Sequence, residues 1–456
     1  MSRDPHSLLS LIGHTPLVEL RRLETGPCRL FVKLESQNPG GSIKDRIGLS
    51  MIDAAEKEGR LRPGGTIVEA TAGNTGLALA LVAPRRGYRL VLVIPDKMSQ
   101  EKIFHLRAMG AEVMMTRSDV GKGDPDYYQD KAERLAAEIP GAVYINQFAN
   151  PANPHAHETG TAPEVWRQME HNLDAVVCGV GSGGTIPGFS RHLARVSPET
   201  EIVLADPKGS VLAEYVRSGH LGRAGSWLVE GIGEDFLPPI ADLSRVRTAY
   251  TIDDRESFLT AREVLRHEGI LCGSSSGTLI AAALRYCREQ TAPRRVVTFV
   301  CDSGNKYLSK MYNDYWMQDQ GFIQRNGKGD LRDLIARRHA EGGTVTIGPE
   351  DTLLTAYARM KLYDISQLPV VQGDRVLGIV DESDLLLAVS NDNTRFRGPV
   401  RDAMSGRVET LPPEASFSEL LAVFGRDHVA IVVEEGRFLG LITRIDLLNH
   451  LRRAMP

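Results

Sequence analysis

The chain has 456 residues, 54 Lys and Arg against 58 Asp and Glu, and a formal net charge of -4; such a length implies several cores. With 42% hydrophobic and 25% charged residues, the composition excludes disorder over most of the chain, and 44 glycines and 24 prolines supply turns without a fibrous repeat. The charge balance offers no general attraction to nucleic acid or to an anionic membrane.

The N-terminal MSRDPHSLLSLIGHTP has no long apolar core, and no stretch approaches the length of a membrane span, so a cytoplasmic protein is expected. Cys28, Cys178, Cys272, Cys287 and Cys301 form no CxxC pair or zinc-like cluster and read as reduced residues. FVKLE at 31-35 predicts a strand, followed by a Pro-Gly-Gly turn and a helix containing Lys44, which leaves this lysine near an element end. A charged helix start, with Asp45 and Arg46, is the alternative. In EATAGNTGLALALVA, residues 69-83, a strand ends at Glu69 or Ala70, Gly73 and Gly76 permit a tight turn, and Asn74 and Thr75 stand at the mouth of a helix. Such a loop holds a planar polar ligand, or is an ordinary capped turn.

YRLVLVI at 88-94 reads as a buried strand, SQEKIFHLRAMG at 99-110 as a helix closed by Gly110, and AEVMM at 111-115 as the next strand. DAVVCGV at 174-180 runs into GVGSGGTIPG at 179-188, where the N–H groups of Gly181, Ser182, Gly183, Gly184 and Thr185 at the start of a helix over 185-196 can cradle a phosphate. A dinucleotide fingerprint is the rival, because Asp206, at the end of the strand EIVLAD, lies 22 residues beyond Gly184. A P-loop is excluded by the missing Gly-Lys-Ser/Thr ending. LCGSSSGTLIAA at 271-282 repeats the strand, turn and helix theme, with serines that cap the helix or donate to a ring nitrogen. RRVVTFV at 294-300 reads as a late central strand. The fold class is α/β with a wound, largely parallel sheet. One lysine, one phosphate cup and two polar turns suit a phosphate-bearing aldehyde cofactor held as an imine.

WMQDQGFIQRNGKGD at 316-330 has the composition of a linker. Beyond it, LPVVQGDRVLGIVDESDLL at 368-386 resembles HVAIVVEEGRFLGLITRIDLL at 428-448, with Gly378 and Asp384 matching Gly440 and Asp446 at one offset of 62 residues. Each copy reads as strand, turn, strand, helix, and the two together as one module; two unrelated hairpins are the alternative.

Residues 6-316 resemble the fold-type-II pyridoxal-phosphate enzymes of the cysteine synthase and cystathionine β-synthase family. The resemblance rests on IGHTPLVEL at 12-20, GGSIKDR at 40-46, TAGNTG at 71-76, NQF at 146-148, GVGSGGT at 179-185 and GSSSG at 273-277, all in the family's order. It implies a tryptophan synthase β-like fold over 1-316, with two wound-sheet subdomains and the smaller, about 45-150, interleaved with the larger. It also implies pyridoxal 5'-phosphate as cofactor: Lys44 as the Schiff-base lysine and catalytic base, Asn74 at the cofactor hydroxyl, Gly181 to Thr185 at its phosphate and Ser275 at the pyridine nitrogen. A serine there, rather than a carboxylate, does not strongly favour ring protonation, which suits β-elimination and replacement.

The substrate carboxylate falls by resemblance to the loop of Thr71, Ala72, Gly73 and Thr75, with Gln147 as a further donor. The family commonly has serine where this chain has Ala72, so one hydroxyl contact is missing; Gln147 also reads as a surface or interface hydrogen bonder. VEGIGEDFLPP at 229-239 implies that Gly233 lies beside an incoming homocysteine, hence serine plus homocysteine giving cystathionine and water. Cysteine synthase chemistry, O-acetylserine plus sulfide, is the alternative. An inactive metabolite-sensing protein is the third reading, and the presence of Lys44 argues against it. No haem is expected, since the family motif starts within the first 15 residues. His155 and His157 form an HxH pair read as structural hydrogen bonders rather than metal ligands.

After a linker at 317-334, the repeat resembles a tandem pair of CBS regulatory domains, 335-390 and 399-453. Thr443 and Asp446 match residues that hold an adenosine ribose in such modules, whereas Asp381 at the threonine-equivalent position weakens the first half as a nucleotide site. The resemblance permits S-adenosylmethionine or adenine nucleotide binding, or oligomer assembly alone, and implies a homodimer or higher homo-oligomer.

Overall fold

Short apolar runs divided by glycine-containing turns give ten strands among the described residues of the N-terminal unit, Met1–Met311. These are β1 (Leu17–Leu20), β2 (Arg29–Leu34), β3 (Thr66–Ala70), β4 (Arg89–Pro95), β5 (Glu112–Thr116), β6 (Ala142–Tyr144), β7 (Ala175–Cys178), β8 (Glu201–Pro207), β9 (Val246–Ile252) and β10 (Arg295–Val300). The structure, a computed structural model, describes residues 6-71, 73-96, 100-121, 123-324 and 327-453.

The strands form two sheets, one ordered β5-β4-β3-β6 and one ordered β1-β2-β10-β7-β8-β9. Every pairing is parallel except β1 with β2. Parallel strands are covered on both faces, which is why β3 and β7 are buried at every position, β7 as an unbroken apolar run and β3 with Thr66 and Glu69 among its buried residues. The four-stranded sheet is built from one continuous stretch lying between β2 and β7, so one subdomain is inserted in the chain of the other. The helix predicted over 99-110 runs Gln100–Ala108, and Gly110, at φ +93°, ends it in a conformation that favours glycine.

Lys44 opens the helix Lys44–Lys57. The two residues after it are not a solvated helix start. Asp45 and Arg46 are both buried. Arg46 forms ion pairs with Glu35 at 2.7 Å and Glu164 at 2.8 Å, while Lys33 Nζ lies 3.0 Å from Glu164. Buried charges persist only when paired, so this network fixes the start of the helix, and with it the Lys44 backbone.

The second unit, Tyr312–Pro456, contains the duplicated module. In the first copy, β11 (Gln367–Gln372) and β12 (Arg375–Asp381) are antiparallel and lead into the helix Glu382–Val389. The second copy opens with the short β13 (Thr410–Leu411); β14 (Ala430–Glu434) and β15 (Arg437–Ile442) follow and lead into Arg444–Arg453. The register shifts between Val370 and Val371 in one copy and between Val432 and Val433 in the other, at the same 62-residue offset as the matched glycines. A parallel contact also recurs, Ile347 with Val370 and β13 with β14. Shared irregularities of this kind favour duplication over chance turn chemistry. Among the described residues no helix is long and apolar enough to cross a membrane.

Candidate active site

In parallel α/β sheets, ligands bind where the strands end at their carboxyl edge, and four segments of interest do follow such ends. The TAGNTG loop follows β3, the NQF segment β6, the GVGSGGT loop β7 and the segment CDSGN β10. Lys44, Asn74, Gly181, Gly183, Gly184, Thr185 and Ser275 line one cavity, together with Cys301. A second cavity, about 220 Å³, shares Lys44, Asn74 and Gly181 with it and adds Thr71, Gly73, Thr75, Gln147, Ser182, Gly233 and Glu234. Ala72 lies outside the described residues. The structure thus brings the described residues expected at cofactor and substrate into two adjoining spaces with Lys44 common to both.

Lys44 Nζ donates to Ser182 Oγ at 3.3 Å. Burial pushes its ammonium down from the usual lysine range, with Cys301, Glu234 and Asp302 opposing the shift. A lysine held toward its neutral form is a competent imine-forming nucleophile. Ser182 also accepts from Asn153 Nδ2 at 3.0 Å, and the same amide group reaches the Gln147 carbonyl at 2.8 Å. Asn153 therefore ties the β7 loop to the β6 segment from beneath.

The glycine loop has little room. A Cβ on Gly181 would strike the carbonyl oxygen of Gly231, one on Gly184 would strike the Asn153 side chain, and Gly183 adopts φ +90°. The helix that follows, Thr185–Val196, has no side chain capping its first turn, so its leading N–H groups lack an intrahelical partner and face an anion. That cradle, with Lys44 in reach and Ser275 at the head of Ser274–Arg288, fits a planar cofactor bearing phosphate and aldehyde.

Asn74 opens the helix Asn74–Val82, and its amide is oriented on both sides. Nδ2 donates to Asp302 Oδ2 at 2.9 Å, and Lys306 Nζ donates to Oδ1 at 2.5 Å. Tyr307 OH donates to the same Asp302 oxygen at 2.9 Å. Burial raises the Asp302 carboxyl, and Lys306, Asn74 and Tyr307 counter that rise. Thr75 Oγ1 donates to Gln147 Oε1 at 2.6 Å, and Gln147 is only 5% exposed. Gln147 is therefore an internal residue of the site wall in this chain. The Phe148 and Phe236 rings, 5.7 Å apart, join the NQF segment to the 229-239 loop.

Other readings are resolved by local contacts. Asp206, the acidic residue of the dinucleotide alternative, is buried and accepts the Ala213 N–H at 2.7 Å, in the first turn of the helix Leu212–Ser218. His157 is buried with Nδ1 2.9 Å from Thr161 Oγ1, and burial holds its ring down to about 3, whereas His155 is exposed. In the second unit Thr443 and Asp446 meet each other: Asp446 Oδ2 accepts the Thr443 N–H at 2.7 Å and its hydroxyl at 2.6 Å. Asp446 also lines a cavity of about 410 Å³ with Gln318, Ile335 and His450.

Sequence reasoning misses Asn153, Asp302, Lys306, Cys301 as a wall residue, and Glu234. Cys301 and Asp302 directly follow the strand RRVVTFV, so their place at a strand end is the signal that points to them. Glu234 sits beside Gly233 in the 229-239 loop.

Residues 8–302 match the family described as pyridoxal-phosphate dependent enzyme, and residues 333–391 and 400–453 each match the CBS domain. The chain is 35% identical to a cystathionine beta-synthase of Dictyostelium discoideum over 98% of this chain and 92% of the relative. It is 40% identical to cysteine synthase 1 of Emericella nidulans over 69% of this chain and 87% of that one. Among solved structures, a hydrogen sulfide-producing enzyme from Fusobacterium nucleatum superposes with a TM-score of 0.62 at 36% identity, covering 66% of this chain and 99% of that one. The similarity to the cysteine synthase and to the hydrogen sulfide-producing enzyme covers about two thirds of this chain, while the similarity to cystathionine beta-synthase covers 98% of it and takes in the C-terminal repeat. The chain belongs to the fold-type-II pyridoxal-phosphate-dependent lyases of the cysteine synthase and cystathionine β-synthase family, with a C-terminal pair of CBS domains.

Proposed function

We propose that the protein replaces the hydroxyl of L-serine with the thiol of L-homocysteine, giving L-cystathionine and water. The observation that carries this reading is the single Lys44 amine, kept toward neutrality by burial, at the junction of a phosphate cradle and a cavity lined by the TAGNTG loop, Gln147 and Gly233. Near full-length similarity to a cystathionine beta-synthase, C-terminal repeat included, supports the choice of nucleophile.

In this reading Lys44 attaches the cofactor, is released by the incoming amino acid, and takes the α-proton at Nζ. When bound, the cofactor supplies an electron sink for the pair left at Cα. The N–H groups from Gly181 to Thr185 hold the phosphate, Asn74 faces the phenolic oxygen through an amide oriented by Asp302 and Lys306, and Ser275 meets the ring nitrogen without a full charge. Thr71, Gly73, Thr75 and Gln147 take the substrate carboxylate, with Ala72 contributing no hydroxyl. The catalytic region is 1-316 and the linker 317-334. The CBS pair, 335-390 and 399-453, takes an adenine nucleotide or S-adenosylmethionine at Thr443 and Asp446 and serves assembly of a homo-oligomer. Five cysteines, none paired among the described residues, suit a reducing cytoplasm.

Cysteine formation from O-acetylserine and sulfide is the second reading, favoured by the 40% identity to cysteine synthase 1 over the catalytic region. Product analysis with serine or O-acetylserine crossed against homocysteine or sulfide separates the two: cystathionine from serine is expected, and preferential cysteine formation overturns the choice. Lys44→Ala removes the visible absorbance of lysine-bound cofactor and abolishes turnover; normal turnover in that variant would overturn its role, and a wild-type protein without turnover on any of the four substrate pairs would reopen the sensor reading. Calorimetry of the full chain with S-adenosylmethionine, ATP and AMP tests the repeat, and absence of heat leaves it an assembly module.

A further inference from the structure

We infer that Glu234 is the acid that protonates the departing serine hydroxyl, and that the incoming thiol returns the proton to the same carboxylate. The inference rests on the serine and thiol reading above and deepens it.

Of the side chains lining the 220 Å³ cavity, Lys44 and Glu234 are the titratable ones. Lys44 takes the α-proton and returns one to Cα at the end, so a separate donor for the leaving hydroxyl lets Lys44 keep its proton for that return. Hydroxide is a poor leaving group, so departure from Cβ needs a donor within the closed site. Glu234 is built for that position. Gly233, at φ +87°, donates its N–H to the Val180 carbonyl at 2.8 Å, and a Cβ on it would run into Pro207. Ser210 Oγ accepts the Glu234 N–H and donates to the Glu234 carbonyl, both at 3.1 Å, and Val211 N–H reaches that carbonyl at 3.1 Å. The backbone is thereby pinned to the ends of β7 and β8 while the carboxyl group stands in the cavity, without a hydrogen bond or ion pair among the described residues.

The other glutamate of this loop shows the contrast. Glu230 pairs with Lys102, and with Lys310 at 2.7 Å; these charges outweigh burial and hold its carboxyl below the usual range. Glu234 has no such partner. Burial raises it to about 8, Asp235 and Asp206 add to the rise, and Lys44 opposes it. The remaining polar side chains of the wall, Thr71, Asn74, Thr75, Gln147, Ser182 and Trp227, carry no charge. Two carboxyl groups four residues apart are thus held in opposite protonation states, the pattern that separates an acid from a structural anion.

The protons balance. Lys44 takes the Cα proton, the Cα–H pair forms Cα=Cβ, and the Cβ–O bond breaks with its pair going to oxygen, which leaves as water with the Glu234 proton. The thiol then gives its proton to Glu234, sulfur adds to Cβ, and Lys44 returns a proton to Cα. No outside acid is consumed.

Rapid mixing of the full-length, cofactor-loaded protein with serine alone or O-acetylserine alone isolates leaving-group departure, since acetate leaves without protonation. In Glu234→Gln the ratio of the serine rate to the O-acetylserine rate falls about 100-fold or more, and Glu234→Asp recovers part of it. The wild-type serine step slows as pH rises through about 8, because the acid is active only when protonated, and that limb disappears in Glu234→Gln. Infrared titration of the cofactor-free protein provides a readout independent of turnover: a protonated-carboxyl band present at neutral pH is missing from Glu234→Gln. Equal loss with both substrates, or an unchanged serine rate, overturns the acid role of Glu234. Wild-type protein that reacts with O-acetylserine but not with serine overturns the serine reading itself.

Discussion

Helix starts in the two units of this chain are built in opposite ways. Three of the helices that open onto the cofactor cavity, Asn74–Val82, Thr185–Val196 and Ser274–Arg288, have Gly73, Gly184 and Gly273 at their N-caps and no side-chain cap. In the repeat, Thr352, Asp381 and Ser416 cap their own helices, the last two as reciprocal capping boxes. The difference is not one of unit alone, because Asp253, at a helix start away from the cavity walls, also supplies a cap, although Tyr128–Glu138, equally away from them, has none. A capping oxygen satisfies the leading N–H groups but occupies the space an anion would take. The site helices forgo that stabilisation and leave their leading N–H groups open to an anionic ligand.

The strongest way to break this contrast is to fill the phosphate cradle. Gly184→Ala places a Cβ against the Asn153 side chain, and a tight site of this kind loses about 3 kcal/mol, or about 100-fold in cofactor affinity. Titration of the cofactor-free variant with pyridoxal phosphate measures it; wild-type affinity would mean that the loop yields and the cradle is not rigid.

A sharper variant separates capping from crowding. Gly73 has φ -99°, and the nearest atom that a Cβ there would meet is Thr71 Oγ1 at 3.9 Å, so serine fits without strain. Gly73→Ser gives the helix Asn74–Val82 the cap it lacks and gains a few tenths of a kcal/mol in stability. The same hydroxyl competes with the substrate carboxylate, so KM for serine rises about tenfold, about 1.4 kcal/mol. Thermal melting and steady-state kinetics are read together. A lower Tm with unchanged KM would show that these N–H groups do not serve the substrate.

What can be read in the sequence, and what cannot, divides along the same physical line. The α/β order, the glycine turns and the helix starts depend on residues within a few positions of one another, so EATAGNTG and GVGSGGT are legible as ligand loops. The groups that tune the site come from far along the chain. Asn74 is oriented by Asp302, 228 residues away, and Arg46 is neutralised by Glu164, 118 residues away. Nothing local distinguishes Glu234 from Glu230 either; only the arrival of Lys102 and Lys310 beside one of them does so.

The smallest effect tests the repeat, where the comparison turns on two aspartates at matching positions. Asp384 Oδ2 takes the Asp381 N–H at 3.1 Å, and the Asp384 N–H returns to Asp381 Oδ1 at 2.8 Å. Asp446 Oδ2 likewise takes the Thr443 N–H, the Asp446 N–H returns to Thr443 Oγ1 at 3.4 Å, and the Thr443 hydroxyl adds a bond to Oδ2 that Asp381 cannot make. A capping role alone predicts that Asp384→Ala and Asp446→Ala each destabilise the second unit by about 1 kcal/mol and leave cofactor content unchanged. A ribose-holding role adds a second effect to one of them only: ATP, AMP or S-adenosylmethionine raises the Tm of wild type and of Asp384→Ala but not of Asp446→Ala. Since Asp446 also faces a cavity of about 410 Å³, ligand-dependent loss confined to that variant is the expected outcome. Equal shifts in all three proteins would reduce the matched aspartates to helix caps and put the ligand elsewhere, whereas no shift in any of them would leave the duplicated module with assembly as its function.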